Sequence, residues 1–335
     1  MEGHLEQVLE HYPLGQLTSV CRIEQGFVNE HWSLTTTEGR FFLKRLNPLL
    51  RQSNLVSAQH QLVRHLRGSE FPAPRIMPTH AGHTLLILDN EWYEMQEYIE
   101  GDSYNHNRPA HFREAATTLG RYHTCVEPFA PQALRSLGDL FTPPVIRSNL
   151  NNLIDAWGVD QERKSAAAAG RLSTEISHLA VRFAAHETLR QLVTHGDYYG
   201  GSLIFDGDRI VGVVDYDKAR WQPRIAEVAE ALIYFASPRS SHLKHVVYPG
   251  FLEWQPLSRF LESYSQSRPL EEREIHALPD FVEAVWLSMS LLRLWERGLD
   301  PAHSNEALEE VLSLAEWAKA NASRMVEVGH AAAIE

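Results

Sequence analysis

The chain has 335 residues and a formal net charge of −12 at pH 7, because 43 Asp and Glu side chains outnumber 31 Lys and Arg side chains. Hydrophobic residues make up 44% of it and charged residues 22%, a composition typical of a folded protein with a large core. The length predicts two domains or two lobes of one fold. The acidic balance argues against nucleic-acid binding and against binding to an anionic membrane, since both partners attract a basic face.

The two cysteines and the N-terminal segment predict the compartment. Cys21 and Cys125 are too few for a disulfide framework and are typical of thiols in a reducing environment. The first twelve residues carry acids where a signal peptide carries bases, and no apolar segment follows them. No stretch approaches the ~20 uninterrupted apolar residues of a membrane span. We therefore expect a cytoplasmic protein with no membrane partner, and the oligomeric state stays open.

The first hundred residues predict a small β-rich unit with one helix. Apolar–polar alternation predicts two hairpins, which turn near Glu38 and near Asp89. Between them, leucines recur at helical spacing before Gly68 and two prolines. The predicted elements are strands Val28–Thr36 and Arg40–Leu46, a helix over Ser53–Arg67, and strands Thr84–Leu88 and Trp92–Ile99. The order is therefore two strands, one helix and two strands.

The rest of the chain predicts a mostly helical unit interrupted by one β-hairpin. The hairpin follows from two short apolar segments, Leu203–Phe205 and Arg209–Val214, with a turn between them. Helical periodicity covers Pro109–Glu127, Asn149–Leu192, Pro279–Gly298 and Glu306–Ala322. The predicted strands give way to helices near Gly101, so we predict an N-terminal lobe of residues 1–100 and a C-terminal lobe of residues 101–335.

One segment carries the residues that indicate a chemical function. It begins at His195-Gly196-Asp197 and continues across the predicted hairpin to Asp215. Because a two-stranded hairpin folds back on itself, the two aspartates can converge at one mouth. Mg²⁺ takes one or two carboxylates together with phosphate oxygens and waters, and a second carboxylate can orient an attacking hydroxyl. The segment therefore predicts phosphoryl transfer.

This segment resembles the catalytic loop of the aminoglycoside phosphotransferase and choline kinase superfamily, which includes type II homoserine kinases and is related to protein kinases. The family's pattern is His-Gly-Asp, four residues, Asn, and then a hairpin that ends in apolar-apolar-Asp. The resemblance implies an α+β, protein-kinase-like two-lobe fold, with a small β-rich N-terminal lobe and a large, mostly helical C-terminal lobe. It also implies ATP and Mg²⁺ as cofactors and a small-molecule hydroxyl as the phosphate acceptor.

The resemblance assigns roles to residues of the large lobe. Asp197 would be the catalytic base that positions the acceptor hydroxyl, and His195 would brace the loop. Asp215 would be the main Mg²⁺ ligand. Ser202 stands where the family has Asn, so its hydroxyl would ligate Mg²⁺ instead. Glu227 falls where the family has an aspartate that ties down the catalytic loop.

In the small lobe, the resemblance points to the nucleotide. Lys44 resembles the strand lysine that holds the α- and β-phosphates, and it lies on the opposite strand face from Arg45. Gln59 stands in for the helix glutamate that pairs with this lysine in the family, since no acidic residue occurs between residues 38 and 70. The other implied nucleotide contacts are the covering segment Gly26, Phe27, Val28 and Asn29 and the hinge residues Gln96, Glu97, Tyr98 and Ile99.

The acceptor stays open within the small molecules that the family phosphorylates. A homoserine-like amino alcohol, an amino sugar or an aminoglycoside-like antibiotic would each fit an amine-bearing acceptor. Asp217, Asp280 and Glu283 are candidates to attract the amine, although a solvated helix face explains each of them as well. Tyr198 and Tyr199 either wall the acceptor site or pack the catalytic loop.

Two functions of other classes remain as alternatives. A bacterial serine/threonine protein kinase of the same fold would label itself or another protein with ATP. A pseudokinase that works as an interaction module is the second, because Gln59 and Ser202 depart from the family's pattern.

Overall fold

Strands dominate the first hundred residues and helices dominate the remainder in this computed structural model, which describes residues 2–24, 29–158, 164–238, 243–246 and 249–334. The small lobe contains helix α1 (Glu2–Glu10), strands β1 (Leu17–Ile23), β2 (Glu30–Thr36) and β3 (Gly39–Arg45), helix α2 (Ser53–Gly68), and strands β4 (Leu86–Leu88) and β5 (Glu91–Glu97). The strands form one antiparallel sheet in the order β1-β2-β3-β5-β4. The two-lobe α+β fold is confirmed, although the sequence analysis missed α1 and β1.

The two faces of this sheet differ because side chains alternate along each strand. One face is apolar and packs against α1; its buried side chains are Trp32, Leu34, Phe41, Leu43, Tyr93 and Met95, together with Leu5, Val8 and Leu9 of the helix. The opposite face carries the buried polar side chains Lys44, Glu94 and Gln96. The sheet therefore presents a polar surface toward α2 and the large lobe.

Helix α2 attaches the small lobe to the large one. Its buried residues Leu62 and Leu66 belong to the core of the large lobe, which also contains Leu119 and Tyr122. After β5, residues 98–101 lead into the short strand β6 (Asp102–Ser103). The division of the chain at residue 100 stays a prediction.

The large lobe contains most of the helices. Its elements are α3 (Pro109–Val126), α4 (Gln132–Arg135), α5 (Pro143–Trp157), α6 (Lys164–Phe183), β7 (Gln191–Thr194), β8 (Leu203–Asp206), β9 (Arg209–Val213), β10 (Arg220–Pro223), α7 (Arg224–Ala236), α8 (Trp254–Ser265), α9 (Glu272–Glu296), α10 (Ser304–Ala320) and α11 (Ala322–Ile334). Strands β6, β8 and β9 form one small antiparallel sheet, and β7 pairs with β10. These two small sheets carry the loops of the candidate site.

Two helix predictions were wrong in their bounds. The helical pattern over Asn149–Leu192 is split, because α5 ends at Gly158 in a left-handed conformation (φ +57°) and β7 already occupies Gln191–Thr194. Helix α9 begins seven residues before Pro279, because Glu271 and Glu274 form a capping box at its N-terminus. Helices α4, α7, α8 and α11 were not predicted from periodicity.

Helix α9 is long and apolar enough to cross a bilayer, the one such helix among the described residues. However, 83% of its apolar window is buried inside the protein, and its neighbours there are α5, α7, α10 and α11. This environment is the one expected of a core helix.

Candidate active site

Lys44 leaves β3 on the polar face of the sheet, and its ammonium meets the large lobe. Lys44 Nζ lies 2.8 Å from Oδ1 of Asp217 and 3.7 Å from Oδ1 of Asp215. Burial lowers the pKa of Lys44, but the charges of Asp217, Glu94 and Asp215 outweigh burial and hold the pKa above its ordinary value. A charged, buried lysine therefore joins the small lobe to the turn that follows β9.

Asp215 occupies that turn with a backbone conformation that is uncommon for a residue with a side chain. Its φ is +71°, in the left-handed region. Its side chain is 48% exposed. Burial of the group raises the pKa of Asp215, but the positive charges of Lys44 and Lys218 lower it further and keep the carboxyl ionised. The turn thus holds an ionised, half-exposed carboxylate beside Lys44.

The side chain of Asp217 is 18% exposed, and its partners lie on the small lobe. Besides Lys44, it accepts a hydrogen bond of 2.5 Å from Asn29 Nδ2. Its backbone carbonyl accepts one of 2.8 Å from Gln59 Nε2. The expectation that Asp217 attracts the acceptor's amine was therefore wrong, since its carboxylate holds the small lobe. Gln59 lies at the site, but its amide donates to this carbonyl rather than accepting from Lys44.

Glu94 is an acidic residue of the site that the sequence analysis missed. It lies opposite Lys44 in the pairing of β3 with β5, and its Oε2 lies 2.7 Å from Nε2 of His60 on α2. Gln96 donates to its other carboxylate oxygen. Burial acts to raise the pKa of Glu94, but His60 and Lys44 hold it at about 2. The alternation of β5 was the available signal, because it places Glu94 on the polar face together with Gln96.

These residues fit a divalent cation. Asp215, Asp217 and Glu94 bring three carboxyl groups to one ammonium. Carboxylate oxygens are also the protein ligands that Mg²⁺ prefers. Of the three groups, Asp215 has the open, ionised carboxylate. Asp217 is held by Lys44 and Asn29, and Glu94 is buried against His60.

The loop after β7 holds the second predicted carboxylate. His195 is fully buried, and burial lowers its pKa although Glu227, Asp197 and Asp215 oppose this shift. Its Nδ1 accepts from the Asp197 N–H at 3.3 Å, so its Nε2 donates to the Val214 carbonyl at 3.0 Å. His195 is thus a neutral brace that ties the loop of Asp197 to the residue before Asp215.

Gly196 makes this loop conformation possible. Its φ is +78°, and a Cβ added there would lie 2.2 Å from the carbonyl oxygen of Lys218. Its N–H donates to Oε1 of Glu227 at 2.7 Å, and the other oxygen of Glu227 lies 2.8 Å from Nε2 of His123. The additional methylene of glutamate relative to aspartate still allows Glu227 to reach the loop of His195, Gly196 and Asp197.

Ser202 also lies inside this loop. Its side chain is buried, and its hydroxyl donates to the Asp197 carbonyl at 2.7 Å. Its own carbonyl accepts from the Val214 N–H. The hydroxyl proton therefore fastens the loop, while the lone pairs of Oγ are the part of Ser202 that a metal would use. Metal ligation by Ser202 stays a prediction.

The Asp197 carboxylate has a cationic partner. Its Oδ2 lies 3.0 Å from Nζ of Lys218, whose side chain is 39% exposed. Lys218 follows Asp217 directly in the chain. One short turn therefore carries both the Asp215 carboxylate and the lysine that pairs with Asp197. The predicted residues Lys44, Asp197, His195 and Asp215 are thus brought to one place.

The hinge residues lie where β5 leaves the small lobe. The N–H groups of Glu97 and Tyr98 donate to the carbonyls of Arg75 and Arg40, whereas the Ile99 N–H makes no hydrogen bond to any described residue. The Glu97 carboxylate pairs with Arg67 and Arg75, and the Tyr98 ring lies under the guanidinium of Arg40. Side chains of Glu97 and Tyr98 are therefore engaged by arginines, and Ile99 offers a backbone donor. Gly26, Phe27 and Val28 lie outside the described residues.

The two tyrosines of the loop have different environments. Tyr198 is buried and its hydroxyl donates to the Ala115 carbonyl, so it packs the loop against α3. Tyr199 is 38% exposed, and its ring lies 5.3 Å from the ring of Tyr234 on α7. Tyr199 and Tyr234 thus form an aromatic pair near Asp197, and Tyr199 is the exposed residue of the pair.

Asp280 and Glu283 belong to a different part of the molecule. Asp280 accepts from Nε of Arg182 at 2.7 Å and lies 2.8 Å from His186, and Glu283 pairs with the same arginine. The prediction that these acids attract an acceptor's amine was wrong, because Arg182 of α6 occupies both of them.

The sequence matches a known enzyme family over most of its length. Residues 19–257, more than two thirds of its length, match the sequence model of the phosphotransferase enzyme family. A homoserine kinase of Parvibaculum lavamentivorans is 26% identical over 304 residues, which cover 88% of this chain and 86% of that protein.

Solved structures show the same fold. A microcompartment-associated aminopropanol kinase superposes with a TM-score of 0.69 at 17% identity, and the match covers 98% of each chain. An amicoumacin kinase in complex with AMP-PNP and Ca²⁺ gives a TM-score of 0.67 at 14% identity, over 96% of this chain and 93% of the other.

Proposed function

We infer that this chain, which belongs to the phosphotransferase enzyme family, transfers the γ-phosphate of ATP to a hydroxyl group of a small, amine-bearing molecule. One observation carries the proposal: Lys44 reaches across to the turn of Asp215, and His195 ties the loop of Asp197 to the same turn. A phosphate-binding cation, a metal-type carboxylate and a hydroxyl-orienting carboxylate therefore surround one cleft. Phosphoryl transfer needs these three groups and little covalent chemistry from the protein.

The nucleotide end of the cleft follows from the small lobe. Lys44 would hold the α- and β-phosphates as a buried point charge, and the Ile99 N–H would donate to the adenine ring. Asp215 would hold Mg²⁺. When bound, Mg²⁺ neutralises the charge of the β- and γ-phosphate oxygens.

At the acceptor end, Asp197 would accept the hydrogen bond of the attacking hydroxyl. The acceptor oxygen forms a bond to the γ-phosphorus while the bond from that phosphorus to the bridging oxygen of ADP breaks, and the hydroxyl proton goes to Asp197. A weak base suffices, because the transition state of phosphoryl transfer is loose in most analyses. Ser202, Gly196 and Glu227 would keep the carboxylate in position through the loop backbone.

The amine is supported by the similar proteins. The relative from Parvibaculum lavamentivorans is a homoserine kinase, and one structural neighbour is an aminopropanol kinase. Homoserine and aminopropanol each carry one hydroxyl and one amine a few bonds apart. A short amino alcohol is therefore the acceptor class that we propose.

A phosphorus NMR time course with Mg·ATP and a pool of hydroxyl-bearing amines and sugars tests the proposal. We expect a new phosphomonoester signal that is absent with Asp197→Ala. Unchanged ATP over many hours would overturn the proposal and favour a pseudokinase, whereas phosphate on the protein itself would favour a protein kinase. An equal rate for Asp197→Ala and wild type would reject the assignment of the base.

A further inference from the structure

Glu230 is a buried carboxyl group that the reaction described above leaves without a role. It is only 3% exposed, and its Oε2 is enclosed without a hydrogen-bond partner among the described residues. Burying a carboxyl group without a partner is costly. Such a group therefore suggests a partner that arrives from outside the chain.

The position of Glu230 on α7 points it toward the catalytic loop. Glu227 and Tyr234, three residues before and four residues after it, lie on the same helix face. Glu227 binds the Gly196 N–H, and the Tyr234 ring contacts the Tyr199 ring. Since Gly196 and Tyr199 bracket Asp197 in the chain, Glu230 lies on the α7 face that looks at Asp197.

Glu230 forms no ion pair with any residue that the structure describes, although charged groups surround it. The carboxylates of Asp197 and Glu227 act on it most strongly, and the opposite charges of Lys218 and Arg220 act on it more weakly. Lys218 pairs with Asp197, and Arg220 donates to the carbonyls of Lys218 and Gly138. Burial, with the two carboxylates, raises the pKa of Glu230 to about 8. An incoming ammonium would relieve this arrangement of like charges.

We propose that Glu230 binds the ammonium group of the phosphate acceptor while Asp197 binds its hydroxyl. The inference rests on the proposed function and extends it, because it assigns the amine to one side chain. An ammonium donates hydrogen bonds and supplies positive charge, so it satisfies the enclosed oxygen and offsets the acidic surroundings. A neutral hydroxyl in the same place would satisfy the enclosed oxygen but would not offset the acidic surroundings.

Steady-state kinetics with matched acceptors test this assignment. L-Homoserine is compared with 4-hydroxybutyrate, and 1-amino-2-propanol with propane-1,2-diol, so that each pair differs in its amine. We expect Glu230→Gln to raise the KM for the amine-bearing member by ~10–100-fold, the loss of one charge-assisted contact. The KM for ATP and the turnover of the amine-free member should stay unchanged. Glu230→Asp should retain part of the preference, and Glu316→Gln on the exposed face of α10 is the control.

Each outcome decides the assignment. Equal losses for amine-bearing and amine-free acceptors in Glu230→Gln, or no loss at all, would overturn it. A wild-type enzyme that phosphorylates only the amine-free compounds would overturn the ammonium site but retain phosphotransfer. A wild-type protein that binds Mg·ATP and phosphorylates none of the four compounds would overturn the acceptor class of the proposed function together with this inference.

Discussion

The Lys218 ammonium lies 3.0 Å from Oδ2 of Asp197, so the carboxylate of the catalytic loop has a cation at its side. Because the Lys218 side chain is 39% exposed, this ion pair contributes little to folding, about 0–1 kcal/mol. In the proposed reaction Asp197 binds the acceptor hydroxyl, so the Lys218 ammonium would lie beside the reacting groups.

We expect Asp197→Asn to lower kcat by ~10²–10⁴-fold, the usual contribution of a positioned base. The free energy of unfolding and the Kd for Mg·ATP should stay close to those of the wild type, because the amide is isosteric. Lys218→Met keeps the carboxylate and should lower kcat less. Stopped-time assays of ATP consumption with an active acceptor measure both variants, and an Asp197→Asn enzyme of full activity would contradict the role of Asp197.

Gly196 and Gly207 form a matched pair for testing the catalytic loop. Both have left-handed backbones, but a Cβ at Gly196 would meet the Lys218 carbonyl at 2.2 Å, whereas a Cβ at Gly207 would meet nothing within 4 Å. Gly207→Ala should cost only the backbone strain, about 1 kcal/mol. Gly196→Ala should cost about 3 kcal/mol, because steric overlap adds to that strain. Urea unfolding measures both, and equal losses would show that the loop can move away from Lys218.

Much of the site could be predicted from the sequence because its signals are local. The His195-Gly196-Asp197 segment and the hairpin that ends before Asp215 are contiguous, and strand alternation alone separates Lys44 from Arg45. The structure brings these residues together, and the family match supports the fold that they imply.

The rest could not be predicted because it depends on contacts between distant elements. Glu94 meets Lys44 only through the register of β3 with β5, and it meets His60 only through the packing of α2 on the sheet. Asp280 and Glu283 have the composition of an amine site, but the approach of α6 places Arg182 on both of them. Periodicity likewise continued across Gly158, where a left-handed residue ends α5.

Glu94 supplies a test of how the small lobe holds Lys44. Glu94→Gln would remove the buried carboxylate that acts on both Lys44 and His60, which should cost about 3 kcal/mol of folding free energy. The Kd for Mg·ATP should also rise, since Lys44 would be drawn toward Asp217 alone. Isothermal titration with Mg·AMP-PNP measures the second effect. An unchanged Kd would show that Asp217 is sufficient to position Lys44.

Comparison of the wild type with Glu94→Gln also predicts how acid changes the free energy of unfolding. Because the pKa of Glu94 is about 2 in the folded chain, below the ~4.3 of a free glutamate, this group stabilises the fold above that ordinary pKa. The contribution should be lost as the pH falls from ~4.3 toward about 2. The difference in unfolding free energy between wild type and Glu94→Gln should therefore shrink over that range. A difference that does not depend on pH would contradict the depressed pKa.

Placing the family's glutamate at position 59 should destabilise the fold. The family places a glutamate on this helix, but here the Gln59 amide donates to the Asp217 carbonyl at 2.8 Å. Gln59→Glu replaces the amide donor by a carboxylate, which has no hydrogen to donate to the Asp217 carbonyl oxygen. We therefore expect it to destabilise the fold by about 1–3 kcal/mol. Gln59→Ala, which removes the side chain without adding charge, should cost less. Thermal unfolding compares the two, and a more stable Gln59→Glu protein would show that the new carboxylate reaches Lys44.

The buried Glu230 carboxyl group predicts that the free energy of unfolding falls as the pH rises, the reverse of the Glu94 effect. Its pKa is raised to about 8 in the folded chain, so the folded state keeps a proton that the unfolded state has released. Stability from this group is fully present below ~4.3, the pKa of a free glutamate, and is lost as the pH rises toward about 8. Glu230→Gln cannot lose a proton, so its unfolding free energy should exceed that of the wild type by a growing amount across this range. Urea unfolding at pH 5, 7 and 9 measures the difference, with Glu316→Gln as an exposed control. If the two curves stay parallel, Glu230 is ionised in the free enzyme and already has a cation within the chain.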